Sequence, residues 1–293
     1  MIEITERGEV ERILADPASH VPTADPAATS SFAQFRAGAS RFANGATHDA
    51  RRARLEELLD GLDAHALASA ARERAAVATA MTAAARDAEV DTAAGPRAAG
   101  ADRARRIPVA VLAEALGFAR PDALPPLVAI VTAAYPSGES EPPHGADAAV
   151  TELLEASGAA DASERALRVQ LLVQAHAATA TLVERALELA EAHGAATPTL
   201  ALLDAVLRDD SPVPVTRRII AAPHGDHELV TLRLDGPDRV ASTDRPARIL
   251  AFGAGPRACP APHHALAIAA AIVDTVRAGT NRREEITRHA VAR

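Results

Sequence analysis

The chain has 293 residues, with 39 acidic against 31 basic side chains and a formal net charge of -8. That length suffices for one large buried core, and the acidic balance gives no attraction to nucleic acid. Hydrophobic residues make up 48% but aromatics only 2%, with no Trp, so the apolar mass is Ala, Leu and Val. Such a composition predicts a mainly helical protein with few rings on which bases could stack.

A single cysteine excludes an intramolecular disulfide and any multi-cysteine zinc or iron–sulfur site within the chain. No apolar run is long enough to span a bilayer. The charged start, Met1-Ile2-Glu3-Ile4-Thr5-Glu6, lacks a signal-peptide core. The expectation is a cytoplasmic protein outside the membrane.

In chain order, residues 7–15 read as a short helix stopping before Asp16-Pro17, followed by a Pro- and Ala-rich connection to about residue 29. Residues 48–85 read as one or two amphipathic helices, and 86–106, with Gly95-Pro96, as a loop. Residues 107–118 read as a helix opened by Pro108 and closed by Gly117. Residues 127–135 are apolar and buried, and 136–146 form an exposed loop.

The strongest helical pattern is 163–193, where Leu167, Leu171, Leu172, Ala175, Thr179, Leu182, Ala186 and Leu189 mark one face. A shorter helix at 200–208 ends before Ser211-Pro212. Residues 228–234 alternate as a strand, and 235–248 are turn-rich. An apolar 249–252, a glycine loop and an Ala-rich helix at 264–277 complete the pattern, with a charged 281–293 expected to fray.

The most informative segment is Phe252-Gly253-Ala254-Gly255-Pro256-Arg257-Ala258-Cys259-Pro260. Glycines let a backbone approach a bulky partner. The thiol stands just before a helix, whose N-terminal partial charge favours thiolate, and Arg257 adds a cation. Taken alone, a single Cys is most often a small buried hydrophobe.

In this setting the segment resembles the haem-binding loop of the cytochromes P450: Phe252, Gly253, Gly255, Arg257 and Cys259 all fall in place. The resemblance recurs in order. Val10-Glu11-Arg12-Ile13-Leu14-Ala15-Asp16-Pro17 is similar to an early P450 helix. His48 and Arg52, four apart on one helix face, match the pair that meets the haem propionates. Arg106-Ile107-Pro108-Val109 and the stretch 207–218 also match. The resemblance implies a mainly α fold with a small β component, a reduced P450-like architecture in one domain over 1–293. It implies a haem b ligated by the Cys259 thiolate, which is therefore the metal ligand. His48, Arg52, Arg218 and Arg257 would be the cations for the two propionates, with Phe252 and Gly253 in the loop.

Four departures bear on function. The Gly expected after the cysteine is Ala261, and two residues are inserted before the helix. The Glu that should pair Arg208 is Ala205, with Asp204 facing elsewhere, so Arg208 needs a substitute acid. On the long helix Thr179 matches the family's catalytic alcohol, but the acid beside it is Ala178; His176, which titrates near neutrality, is the candidate replacement. The stretch 218–252 is also short, and no C-terminal hairpin is evident, so a homodimer would bury the surface thus left open.

The resemblance implies a haem-thiolate enzyme acting on a small organic molecule in a secondary pathway. Its nearest role is monooxygenation with electrons from a ferredoxin. The missing acid favours a peroxide-driven oxidation or a redox-neutral dehydration, cyclisation or rearrangement. The alternative, favoured by Ala205 and the short sheet, is a non-catalytic relative that recruits or activates another enzyme.

Overall fold

The computed structural model describes residues 2–87, 96–135, 144–194, 196–221, 226–235 and 249–291. Parts of the loops expected at 86–106, 136–146 and 235–248 lie outside these residues.

Helix α1, Arg7–Ala15, starts at Glu6, whose carboxylate accepts from Gly8 N and Glu9 N, and ends where expected. Helix α2, Ser31–Gly38, was not anticipated; Ser30 caps it, and it buries Phe32 and Phe35. The 48–85 pattern resolves into two helices, α3 at Gly45–Asp60 and α4 at Ala64–Asp87. Gly61 and Asp63 separate them; the Asp63 carboxylate accepts from His65 N.

Helix α5 spans Pro96–Ala115, so Pro108 lies inside it and does not open it. The sequence reading placed a loop over 86–106, but Ala and Arg are strong helix formers, and Pro96 suits a first position. Gly117, at φ +76°, ends the helix while Phe118 N donates to Ala113 O at 2.9 Å. Helices α6, Pro125–Ala134, and α7, Ala146–Ala156, follow.

Helix α8, Ala162–His193, is the 32-residue axis of the molecule, capped by Asp161 and followed by Gly194 at φ +79°. After α9, Thr199–Asp209, the chain enters a three-stranded sheet: β1 Ile2–Ile4, β2 Val215–Ala221 and β3 His227–Arg233. β3 is central, parallel to β1 and antiparallel to β2, with Arg218 opposite Val230. Only β3 was legible as a strand; β1 is too short, and β2 carries two arginines. Helix α10, Pro262–Val291, begins at its proline and continues through most of the tail expected to fray.

Three apolar clusters organise the interior. One gathers α2, α3, α5, α6, α7 and the N-terminal half of α8. A second joins α4, α9, α10 and the rest of α8. The third packs Val10, Ile13 and Leu14 of α1 against Val230 and Leu232 of β3. The functional cavity is lined by residues from all three, among them Leu55, Ile268 and Leu14.

Candidate functional site: a cysteine loop and a cation-lined cavity

The loop after Ile249 is built from local backbone bonds. Gly253 N donates to Leu250 O, Cys259 N to Phe252 O and Ala258 N to Gly255 O, at 2.8, 2.8 and 3.1 Å. Gly253 and Gly255 adopt φ of +70° and +66°, which favours glycine. At Gly255 space demands it too. A Cβ there would collide with the Leu14 carbonyl and lie 2.9 Å from Ala15 Cα. The loop thus rests directly on the end of α1.

Two arginines tie the loop to the start of α3. Arg52 Nη1 donates to Ala258 O at 2.6 Å while its Nε donates to Glu56 Oε1. Arg257 NH2 donates to Ala43 O and to Asn44 Oδ1, at 2.7 and 2.9 Å. Asn44 in turn accepts from Val21 N and donates to Val21 O.

Cys259 is partly buried, and Ala261 N donates to its Sγ at 3.5 Å. Burial pushes the thiol pKa up, against the pull of the Ala261 amide and Arg52. This corrects the expectation of a thiolate favoured by its surroundings. Arg257 points to Ala43 and Asn44, and desolvation prevails, so a bound metal must itself drive deprotonation.

Cys259 opens onto a cavity of about 580 Å³, within the size range of cofactor and ligand sites. His48, Arg52, Arg218, Phe252, Gly253, Arg257 and Thr179 all line it, so these predicted residues converge. His176 does not. The cavity-facing stripe of α8 runs through Leu171, Ala175, Ala178 and Leu182, and His176 sits around the helix from it. There it is buried, its Nδ1 has no hydrogen-bond partner, and burial, then Arg105, lowers its pKa. A three-residue offset from Thr179 suggested one face; the stripe is too narrow to include both.

Among the described residues the cavity wall contains six arginines and two histidines but no Asp or Glu. Arg218 is 5% exposed and donates to Thr216 Oγ1 and Arg217 O, at 3.0 and 2.8 Å. Burial, with repulsion from Arg257 and Arg41, brings its pKa down to about 10. A buried cation facing a cavity without a carboxylate fits an anionic group. Apolar walls, glycines and one thiol fit a flat, largely apolar macrocycle. The residues present therefore fit a haem.

Arg208, whose expected Glu is Ala205, pairs with its neighbour Asp209 at 2.9 Å, and its side chain is 33% exposed. Exposure removes the need for a buried acid. Sequence reasoning missed Arg36, Arg41 and His264 on the cavity wall; none stands in a motif. Among the described residues no three His, Cys, Asp or Glu side chains cluster as a metal site. No helix among them is long and apolar enough to cross a membrane.

No protein-family model matches the sequence, and no curated protein does. Solved structures do match. P450BioI in complex with a hexadec-9Z-enoic acid ligated acyl carrier protein shares 17% identity and a TM-score of 0.63, over 93% of this chain and 83% of that one. CYP109E1 from Bacillus megaterium in complex with testosterone shares 17% and 0.63, over 93% and 82%. A structure from work on unusual cytochrome P450-like monooxygenases of microbial secondary metabolism shares 15% and 0.61, over 93% and 83%. At these identities the likeness concerns the fold. Helix order, the small sheet, the cysteine loop and long helix lining one cavity, and these neighbours agree: the chain has the cytochrome P450 fold, in a reduced, mainly α form.

Proposed function

We propose that the chain is a haem-thiolate enzyme acting on a small organic molecule, with Cys259 Sγ as the axial iron ligand. The observation that carries this is the convergence of the only cysteine, the glycine loop and an acid-free cation set on one cavity. Arg218, Arg257 and His48 would hold the propionates. Arg52 mainly braces the loop, since its fork is engaged by Ala258 O and Glu56. When bound, the haem supplies the redox or Lewis-acid chemistry at its iron.

The chain's own residues shape which reaction follows. The polar side chains that α8 turns to the cavity are Gln170, Gln174 and Thr179, and none titrates near neutrality. Thr179 orients a proton donor without supplying a titratable acid. This supports a peroxide-driven or redox-neutral reaction over ferredoxin-driven monooxygenation. One observation favours a non-catalytic role: Arg208 has become a surface residue paired with its neighbour.

The test is spectroscopic. Protein loaded with haem, reduced and exposed to carbon monoxide should show the strongly red-shifted Soret band of a thiolate-ligated haem, and Cys259→Ala should abolish it. Failure to bind haem ends the enzyme reading; haem without that band removes Cys259 as the ligand. Turnover measured with dioxygen plus reductant, with peroxide and with neither assigns the reaction class, and inactivity in all three selects the non-catalytic role.

A further inference from the structure

The cavity holds more positive charge than a haem needs. Arg52 is matched by Glu56 at 2.6 Å. Arg218, Arg257 and His48 suffice for two propionates. Of the three cavity arginines that remain, Arg217 is exposed on β2, and Arg36 and Arg41 have no ion pair to an acid among the described residues.

Their setting is organised. The Arg36 guanidinium carbon lies 4.2 Å from the Phe42 ring centroid, and its buried Nε has no hydrogen-bond partner. Stacking on a ring leaves the planar N–H edge open to a two-oxygen acceptor. Arg41, exposed at the cavity edge, lies 6.0 Å from the Tyr135 ring centroid. Burial raises the Tyr135 pKa strongly, so the ring stays a neutral phenol and offers neither arginine a counter-charge.

The turn between these arginines is fixed to α8. Ser40 N donates to Gln170 Oε1, and Gln170 Nε2 donates to Ser40 Oγ, both at 2.7 Å. Gln170 precedes Thr179 by nine residues, about 13 Å along a helix axis. Between them the cavity-facing residues are Leu171, Ala175 and Ala178, which are apolar, and Gln174, whose Oε1 accepts from Gln170 Nε2 at 3.2 Å. A paired cationic end, a mostly apolar stretch broken by Gln174, and the reacting end thus lie along one wall.

We infer that the substrate is a small organic acid, with an apolar body along α8 and its carboxylate held between Arg36 and Arg41. This rests on the haem reading only in assigning the cysteine end of the cavity to the cofactor.

Nonanoate and 1-nonanol, alike in length and different in charge, test it. Binding is followed by the Soret shift of haem-loaded protein and, independently of haem, by thermal shift. Nonanoate should bind about tenfold or more tighter than the alcohol, with the advantage shrinking at high salt. Arg36→Leu with Arg41→Ala should remove the advantage and leave nonanol binding unchanged, and Arg36→Lys should keep most of it. The exposed Arg41→Ala alone should reduce it several-fold, which covers a double variant that does not fold. Equal affinity for acid and alcohol overturns the inference. So does a double variant that keeps the preference, or one that loses haem while keeping it, since the arginines would then serve the propionates. A protein that takes up no haem fails the cofactor reading, and the thermal-shift comparison still decides this one.

Discussion

Arg218 makes its hydrogen bonds to Thr216 and to the Arg217 carbonyl, and it faces a wall without carboxylates. Burial disfavours its charged form, so the penalty holds throughout the neutral range and fades only as pH climbs past about 10. A lowering of this size, to about 10, corresponds to about 3 kcal/mol. Arg218→Met should therefore make the haem-free protein more stable to urea, by roughly 1–3 kcal/mol, while weakening haem retention. A Met variant that unfolds earlier than its parent would mean the buried cation is already matched. Residues of this kind were legible where a motif fixed their spacing, as with Cys259, Arg257 and His48. Arg36 and Arg41 carry no such signature. Their role arises only when the turn between them docks on Gln170, a contact 130 residues away in sequence.

Among elements, the loop and the start of α3 form one unit through Asn44. Its side-chain oxygen accepts from both Val21 N and Arg257, and its amide donates back to Val21 O. Asn44→Ala leaves these partly buried partners unsatisfied, and should lower stability to urea by about 1–3 kcal/mol. Haem loss to a scavenging globin should quicken in parallel. An unchanged loss rate would show that Arg52 alone suffices to hold the loop. The long helix α8 was legible because its periodic apolar face extends over many turns, and α1 and α9 because prolines or caps punctuate them. Helices α2 and α7 were not, being short and bordered by Ala, Gly and Pro. The start of α5 was misread because a proline that normally opens a helix stands inside this one.

At the scale of the whole molecule, an acidic chain encloses a cavity whose charged wall residues are all basic. Without an anion, those cations repel one another across a space of about 580 Å³. Haem should accordingly raise the melting temperature strongly, since a ligand at a thousandfold excess over its dissociation constant adds about 4 kcal/mol. Scanning calorimetry with and without haem measures it, and no shift would mean that the cavity is not the cofactor site.

The contacts that shape the cysteine loop also impose a schedule on synthesis. Ala258 meets Arg52 across 206 residues of sequence, and Arg257 meets Ala43 across 214. Gly255 lies against Leu14 and Ala15, still further back. A chain emerging from the ribosome carries α1 and α3 long before the residues that will sit on them. Contacts of such separation close late, so the cysteine reaches its final geometry only after the chain has been made through the loop and the helix that follows it. Loading of the proposed cofactor therefore waits for the loop, and nascent chains that end before Cys259 should take up no haem at this site.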